Sequence, residues 1–177
     1  MDNFTLILKK PFEYEGQTYT EITLDWTKLT GKDAMALEDE MQSEGIRLVA
    51  NEAVDGKYQL KTAAKASGIA ENVLRALPIR EVQALKNAAR QYLYSGDGST
   101  AARLDFDGFT GQDAEIIEDE LRAARHTVDY TPTFDTLYAV KMAARALDVP
   151  EDQITGLPMA EFLNVKMKVR YFFLELD

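Results

Sequence analysis

The chain has 177 residues, 46% of them hydrophobic and 28% charged, which is enough for one sizeable core or two small ones. It contains no cysteine and a single histidine, His126, so disulfides, thiol nucleophiles, thiolate zinc sites and multi-histidine metal frameworks are excluded. With 20 basic and 30 acidic residues the net charge is −10, and such a field repels phosphate backbones and anionic lipid, so neither nucleic acid nor membrane is expected as a partner. No apolar run reaches membrane-spanning length and Met1-Asp2-Asn3 opens on acid and amide, which predicts a cytoplasmic protein.

In chain order, the first signal is β. Phe4-Thr5-Leu6-Ile7-Leu8 and Tyr19-Thr20-Glu21-Ile22-Thr23-Leu24 are rich in aromatic and branched residues, and Glu15-Gly16-Gln17 supplies a turn, so a hairpin is expected. A lone hairpin is marginal, and Ala101 to Phe106 is the candidate for a third antiparallel strand. Trp26 is expected to anchor strand to helix in the core, as is Phe106. Thr30-x-x-Asp33 fits a capping box at a helix start, and Glu38-Asp39-Glu40 further along that helix reads as a solvated face. A second helix is predicted over residues 57–67, stopped by Gly68, then a short turn of helix near 70–76. Pro78 is placed at the first position of a long amphipathic helix whose inward stripe is Ile79, Val82, Leu85, Ala89 and Leu93. Residues 95–100 are linker-like.

Beyond the linker the sequence repeats. Residues 22–97 align with 102–177 at a constant offset of 80, without a gap and with 22 identities in 76 positions. Random pairing gives roughly a quarter of that. Thr110-Gly111-x-Asp113-Ala114, Glu118-Asp119-Glu120, Lys141-x-Ala143-Ala144-x-Ala146, Leu157-Pro158-x-x-Glu161 and Arg170 all repeat residues of the first copy. The second copy therefore predicts a helix start at Thr110, a helix over 134–147 ending at Asp148-Val149-Pro150, a short turn at 151–155, and a closing helix with Phe162, Val165, Val169 and Phe172 inward. The expected fold is α+β and mainly α: 1–94 a hairpin plus the first helical repeat, 95–100 a linker, 101–177 the second repeat.

Chemistry is sparse. There is no phosphate-binding glycine loop and no Gly-x-Ser-x-Gly elbow, and His126 reads as a capping or surface histidine, so no catalytic, metal or cofactor site is expected. Tyr92, Tyr94, Tyr171 and Phe173 fall at or beyond the edge of the inward stripes of the closing helices, which makes them candidate partner-binding residues.

The order of features from Leu6 to Tyr94 resembles the tail assembly chaperones of long-tailed bacteriophages, the small proteins encoded just before the tape-measure gene in contractile-tailed phages. The residues that carry the likeness are a strand ending in Lys10-Pro11-Phe12, the turn Gly16, the strand Tyr19 to Leu24, and the start Leu29-Thr30-Gly31-Lys32-Asp33. After these come Ser67-Gly68-Ile69, Leu74-x-x-Leu77-Pro78, and a helix ending Tyr92-Leu93-Tyr94. Family members usually have one repeat, and an aspartate before the closing helix where this chain has Leu77-Pro78-Ile79-Arg80-Glu81. The second copy lacks the hairpin's first strand and the Lys-Pro step. The resemblance implies a non-enzymatic chaperone of the host cytoplasm that coats the tape-measure protein, keeps it soluble, and leaves as tail-tube protein polymerises around it. The competing expectation from another class is an acidic adaptor or inhibitor that uses its charge on a basic partner.

Overall fold

The computed structural model describes residues 3–46, 51–124, 126 and 134–174. The protein is mainly helical with an N-terminal hairpin, and it divides into two compact units, Met1–Ser95 and Gly96–Asp177.

In the first unit, β1 (Phe4–Tyr14) pairs antiparallel with β2 (Gln17–Leu24). Glu15 and Gly16 join them, both at positive φ (47° and 82°), the backbone that matches strand twist in a two-residue hairpin turn. Register runs from Phe4 opposite Leu24 to Ile7 opposite Glu21, then resumes at Phe12 opposite Tyr19. Between those points Leu8, Lys9, Lys10 and Pro11 face the single residue Thr20, so β1 bulges there. Pro11, which has no N–H for a ladder, sits where a bulge tolerates it.

A 3-10 turn at Trp26–Lys28 leads into α1 (Gly31–Ser43); α2 (Gly56–Ser67), α3 (Glu71–Ala76) and α4 (Ile79–Leu93) follow. Asp33 closes the capping box at Thr30, its carboxylate accepting from the Thr30 N–H at 2.9 Å and from its hydroxyl at 3.0 Å. The Asp55 carboxylate caps α2 by accepting from the Lys57 and Tyr58 N–H groups, and Gly68 ends it at φ 69°. The core gathers Ile22, Leu24, Trp26, Leu37, Met41, Tyr58, Leu74 and Leu85, and the small faces of Ala63 and Ala89 are fully buried where α2 packs on α4.

The second unit holds α5 (Gly111–Ala123), α6 (Thr136–Leu147), α7 (Glu151–Thr155) and α8 (Met159–Leu174). Each begins 80 residues after its counterpart: Gly31 and Gly111, Gly56 and Thr136, Glu71 and Glu151, Ile79 and Met159. The expected third strand is absent among the described residues. Ala101–Arg103 is a 3-10 turn closed by bonds from the Ala102, Arg103 and Leu104 N–H groups to the carbonyls of Gly98, Thr100 and Ala101. A pair of alanines has little to gain on a pleated surface, and short-range bonds win. Pro78 and Pro158 each stand one residue outside the helix, Pro78 as the N-cap of α4. Asp148 ends α6 in the left-handed region at φ 52°. No helix among the described residues is long and apolar enough to cross a membrane.

Candidate functional site

The stripe assigned to α4 fails at its first residue. Ile79 is 78% exposed, whereas Val82, Leu85, Ala89 and Leu93 are buried. It stands at the mouth of a groove of about 560 Å³ between the β1 bulge and the start of α4, lined by Leu8, Lys9, Lys10, Pro11, Phe12, Pro78, Ile79, Arg80 and Glu81. The bulge creates this opening by swinging the Lys-Pro step off the ladder, while Pro78 fixes the entry of the chain into α4. A second depression of about 300 Å³ shares Ile79 and continues past Leu60, Leu77 and Val82 toward Lys57, Arg75 and Lys86.

The groove is apolar at its floor and cationic at its rim. Lys9, Lys10 and Arg80 are exposed and form no ion pair with any described residue, in a chain that is strongly acidic overall. Glu81, 9% exposed, is the one carboxylate in the lining, and no described residue donates a hydrogen bond to it. Its counterpart Glu161 is equally buried and accepts from the Gly98 N–H at 2.8 Å and the Thr100 N–H at 2.7 Å.

A second cluster is structural. The Lys61 side chain, 2% exposed, reaches Glu40, Glu44 at 2.7 Å and Glu71 at 2.9 Å. Burial alone would push the Lys61 ammonium down, but the three carboxylates outweigh it and hold the proton more tightly than usual. Glu44, hydrogen-bonded to Lys57 and Lys61, is lowered from its ordinary 4.5 to about 2. The oxygens of Glu40, Glu44 and Glu71 lie within 4.8 Å of one another, a spacing suited to a cation, and the ammonium already serves as that cation. The second unit repeats the arrangement, Lys141 meeting Glu120 at 3.0 Å and Glu151 at 2.6 Å, with Arg145 also on Glu120. The acidic triplets are therefore not simply solvated faces: Glu38 is buried and Glu40 and Glu120 bind lysine, because residues four apart on one helix and a residue of another converge on a cation that neighbours on the triplet could not share.

The four aromatic candidates separate. Tyr92 is a core residue, not an edge one: it is 5% exposed, stacks on Trp26 at 4.5 Å and 7°, and its hydroxyl reaches the Trp26 carbonyl. Tyr94 is exposed, its hydroxyl accepting from Asn51. Tyr171 is exposed, and Phe173 is half-buried with its edge on Tyr138 at 5.7 Å. Phe172, assigned inward, is 42% exposed although it contacts Phe106, since the last turn of α8 runs past the rest of its stripe. His126 bonds Asp135, the N-cap of α6, at 2.7 Å.

Sequence reasoning missed the groove because Ile79 satisfies the helical period and so reads as core. The signal available was the unusual density of cations, Lys9, Lys10 and Arg80, beside two prolines. No protein-family model, curated protein or solved structure matches the chain.

Proposed function

We propose that the protein is a non-enzymatic tail assembly chaperone that binds the phage tape-measure protein and keeps it soluble, acting in the host cytoplasm. The observation that carries this reading is convergence. Residues of two of the motifs that carry the resemblance, Lys10-Pro11-Phe12 and Pro78, are 66 or more residues apart in sequence and together line one open groove. Motifs that merely built a core would be buried. Exposed Ile79 at the mouth of that groove, with Tyr94 elsewhere on the same unit, supplies apolar surface for a partner on a chain whose net charge is −10. Tyr171 and Leu174 supply exposed apolar surface on the second unit.

The test is co-expression with the tape-measure protein encoded beside this gene. The tape-measure protein should remain soluble and co-purify with the wild-type chain, and Ile79→Asp should abolish co-purification without lowering the melting temperature, because the side chain it replaces is largely in solvent. A tape-measure protein that precipitates regardless of the wild-type chain, or the absence of such a gene from the neighbourhood, overturns the reading. Co-purification mainly with basic proteins, lost in high salt and indifferent to Ile79, would favour the adaptor class instead.

A further inference from the structure

The two units treat the first turn of their closing helices differently. In the second unit Met159 is fully buried, and the backbone of residues 96–100 runs across the turn: a Cβ on Gly96 would lie 2.6 Å from the Ala160 carbonyl oxygen, and Glu161 accepts the N–H groups of Gly98 and Thr100. Gly98 at φ 70° and Thr100 at φ −73°, ψ −44° belong to a turn, and a turn of this kind aims its N–H groups at one anion. Asp97, next to Gly98 in the chain, is exposed, and its carboxylate accepts the Ser99 N–H at 2.8 Å.

In the first unit the same turn is bare. Ile79 replaces the buried methionine and is exposed; Glu81 replaces Glu161, is nine-tenths buried, lines the groove, and receives no hydrogen bond from a described residue. A nearly buried carboxylate without donors is costly to maintain, and the cost disappears when N–H groups arrive. Ala160 corresponds to Arg80, so the rim that an occupant meets here is cationic where the second unit's is neutral.

We infer that the groove of the first unit is a docking site for an acidic, turn-forming segment of a partner protein, whose backbone N–H groups bond Glu81 as those of Gly98 and Thr100 bond Glu161. Carboxylates flanking that segment meet Lys9, Lys10 and Arg80. The inference rests on the reading of this groove as the chaperone's partner site and names what the site grips. The overall charge of −10 disfavours acidic chains at large, and the cations of this rim offset that repulsion locally.

The probe is a labelled, end-blocked peptide copying residues 94–102 of this chain, whose only charge is that of Asp97, titrated into the full-length protein at 0.1 M salt and followed by anisotropy. Three variants of the peptide decide the mode: methylation of the nitrogens equivalent to Gly98 and Thr100, and lysine in place of Asp97. The doubly methylated peptide should bind at least tenfold more weakly, each singly methylated form several-fold, and the lysine peptide several-fold. Glu81→Gln should weaken binding of the parent peptide about tenfold, a charge-assisted acceptor having become a neutral one. Arg80→Glu with Lys10→Glu should reverse the preference between aspartate and lysine peptides. Melting of each variant protein, read by Trp26 fluorescence, identifies folded samples; should the double reversal fail to fold, Lys10→Gln and Arg80→Gln singly should each narrow the preference.

No binding at millimolar peptide overturns the inference, as does methylation without effect, equal binding by Glu81→Gln, or tighter binding of oligouridylate than of peptide. The two proposals fail separately. Tape-measure co-purification that survives Glu81→Gln and the rim substitutions sinks the docking mode and keeps the chaperone, while peptide binding with a tape-measure protein left insoluble does the reverse.

Discussion

The two units share a scaffold and differ in what lies over one helix start. Caps, ion clusters and aromatic pairs recur at the constant offset: Asp33 and Asp113, Lys61 and Lys141, Trp26 with Tyr92 and Phe106 with Phe172. Among the described residues only the first unit has the hairpin and its bulge, and only there is the closing helix open at its first turn. The groove is built from both kinds of residue: Pro78 and Glu81 recur as Pro158 and Glu161, while the β1 bulge with Lys9 and Lys10, exposed Ile79 and Arg80 belong to the first copy alone. The comparison assigns stability and binding to different side chains.

The sharpest way to break it is through the aromatic pairs. Trp26 and Tyr92 are both buried and nearly parallel, whereas Phe172 meets Phe106 at 4.8 Å and 39° with much of its ring in solvent. Tyr92→Ala should cost about 4 kcal/mol and Phe172→Ala about 2 kcal/mol, in proportion to the area each removes from water. Trp26 is the only tryptophan, so its fluorescence in urea follows the first unit while far-ultraviolet circular dichroism follows both. Equal losses would mean that the second pair is as structural as the first, contrary to its exposure.

Much of this scaffold is legible in the sequence, and the reason is local chemistry. Capping residues, Gly68, Pro78, Pro158 and the three-to-four spacing of apolar residues act within a turn or two of themselves, so helix starts and stops follow from the chain alone. The failures are non-local. Ala101 to Phe106 inherits a strand expectation by alignment with Glu21 to Trp26, but it lacks the β-rich side chains. Ile79 and Phe172 obey the period of their helices and are exposed, because period specifies a face and not whether another element covers the end of it. Tyr92 lies beside the stripe residue Leu93 and is buried because Trp26, far away in sequence, reaches it. The convergence of Glu40, Glu44 and Glu71 on Lys61 needed the packing of α1, α2 and α3, which no spacing rule supplies.

The ion clusters sharpen the comparison further. Lys61 is 2% exposed and meets three carboxylates, while the side chain of Lys141 is 13% exposed and meets two that are nearly half exposed. Removing a buried partner leaves the remaining charges facing each other, so Lys61→Met should cost about 3 kcal/mol. Lys141→Met should cost about 1 kcal/mol, near the value of a surface pair. The pH dependence follows the same order. Glu44, lowered to about 2, contributes stability that is complete above its ordinary 4.5 and is lost as pH falls from there toward 2. Lys61 and Lys141 are raised, so their contributions are complete below 10.5 and are lost as pH climbs through the higher folded values. The Trp26 transition should hence weaken below pH 4.5 and, in Lys61→Met, which leaves Lys57 on Glu44, lose part of that acid sensitivity. An acid limb unchanged by Lys61→Met would show that the cluster does not govern it.

The smallest expected effect belongs to the feature the two units share most closely. Asp33 accepts from the Thr30 N–H at 2.9 Å and hydroxyl at 3.0 Å, and Asp113 accepts from the Thr110 N–H at 2.8 Å and hydroxyl at 2.7 Å. Both carboxylates are lowered. Burial opposes the shift at Asp33, where the Thr30 bonds and Lys65 overcome it, and the Thr110 hydroxyl is the main cause at Asp113. In each case the aspartate satisfies a free N–H and places negative charge at the positive helix end. Thr30→Ala and Thr110→Ala should each cost about 1 kcal/mol, with peptide binding to the groove unchanged, since neither threonine lines it. Asp33 also meets Lys65 at 3.3 Å, so Asp33→Ala should exceed Asp113→Ala by a few tenths of a kcal/mol, roughly the worth of a half-exposed pair. A pair of threonine variants that differ by more than the aspartate variants do would place the asymmetry in the caps themselves and remove them from the shared scaffold.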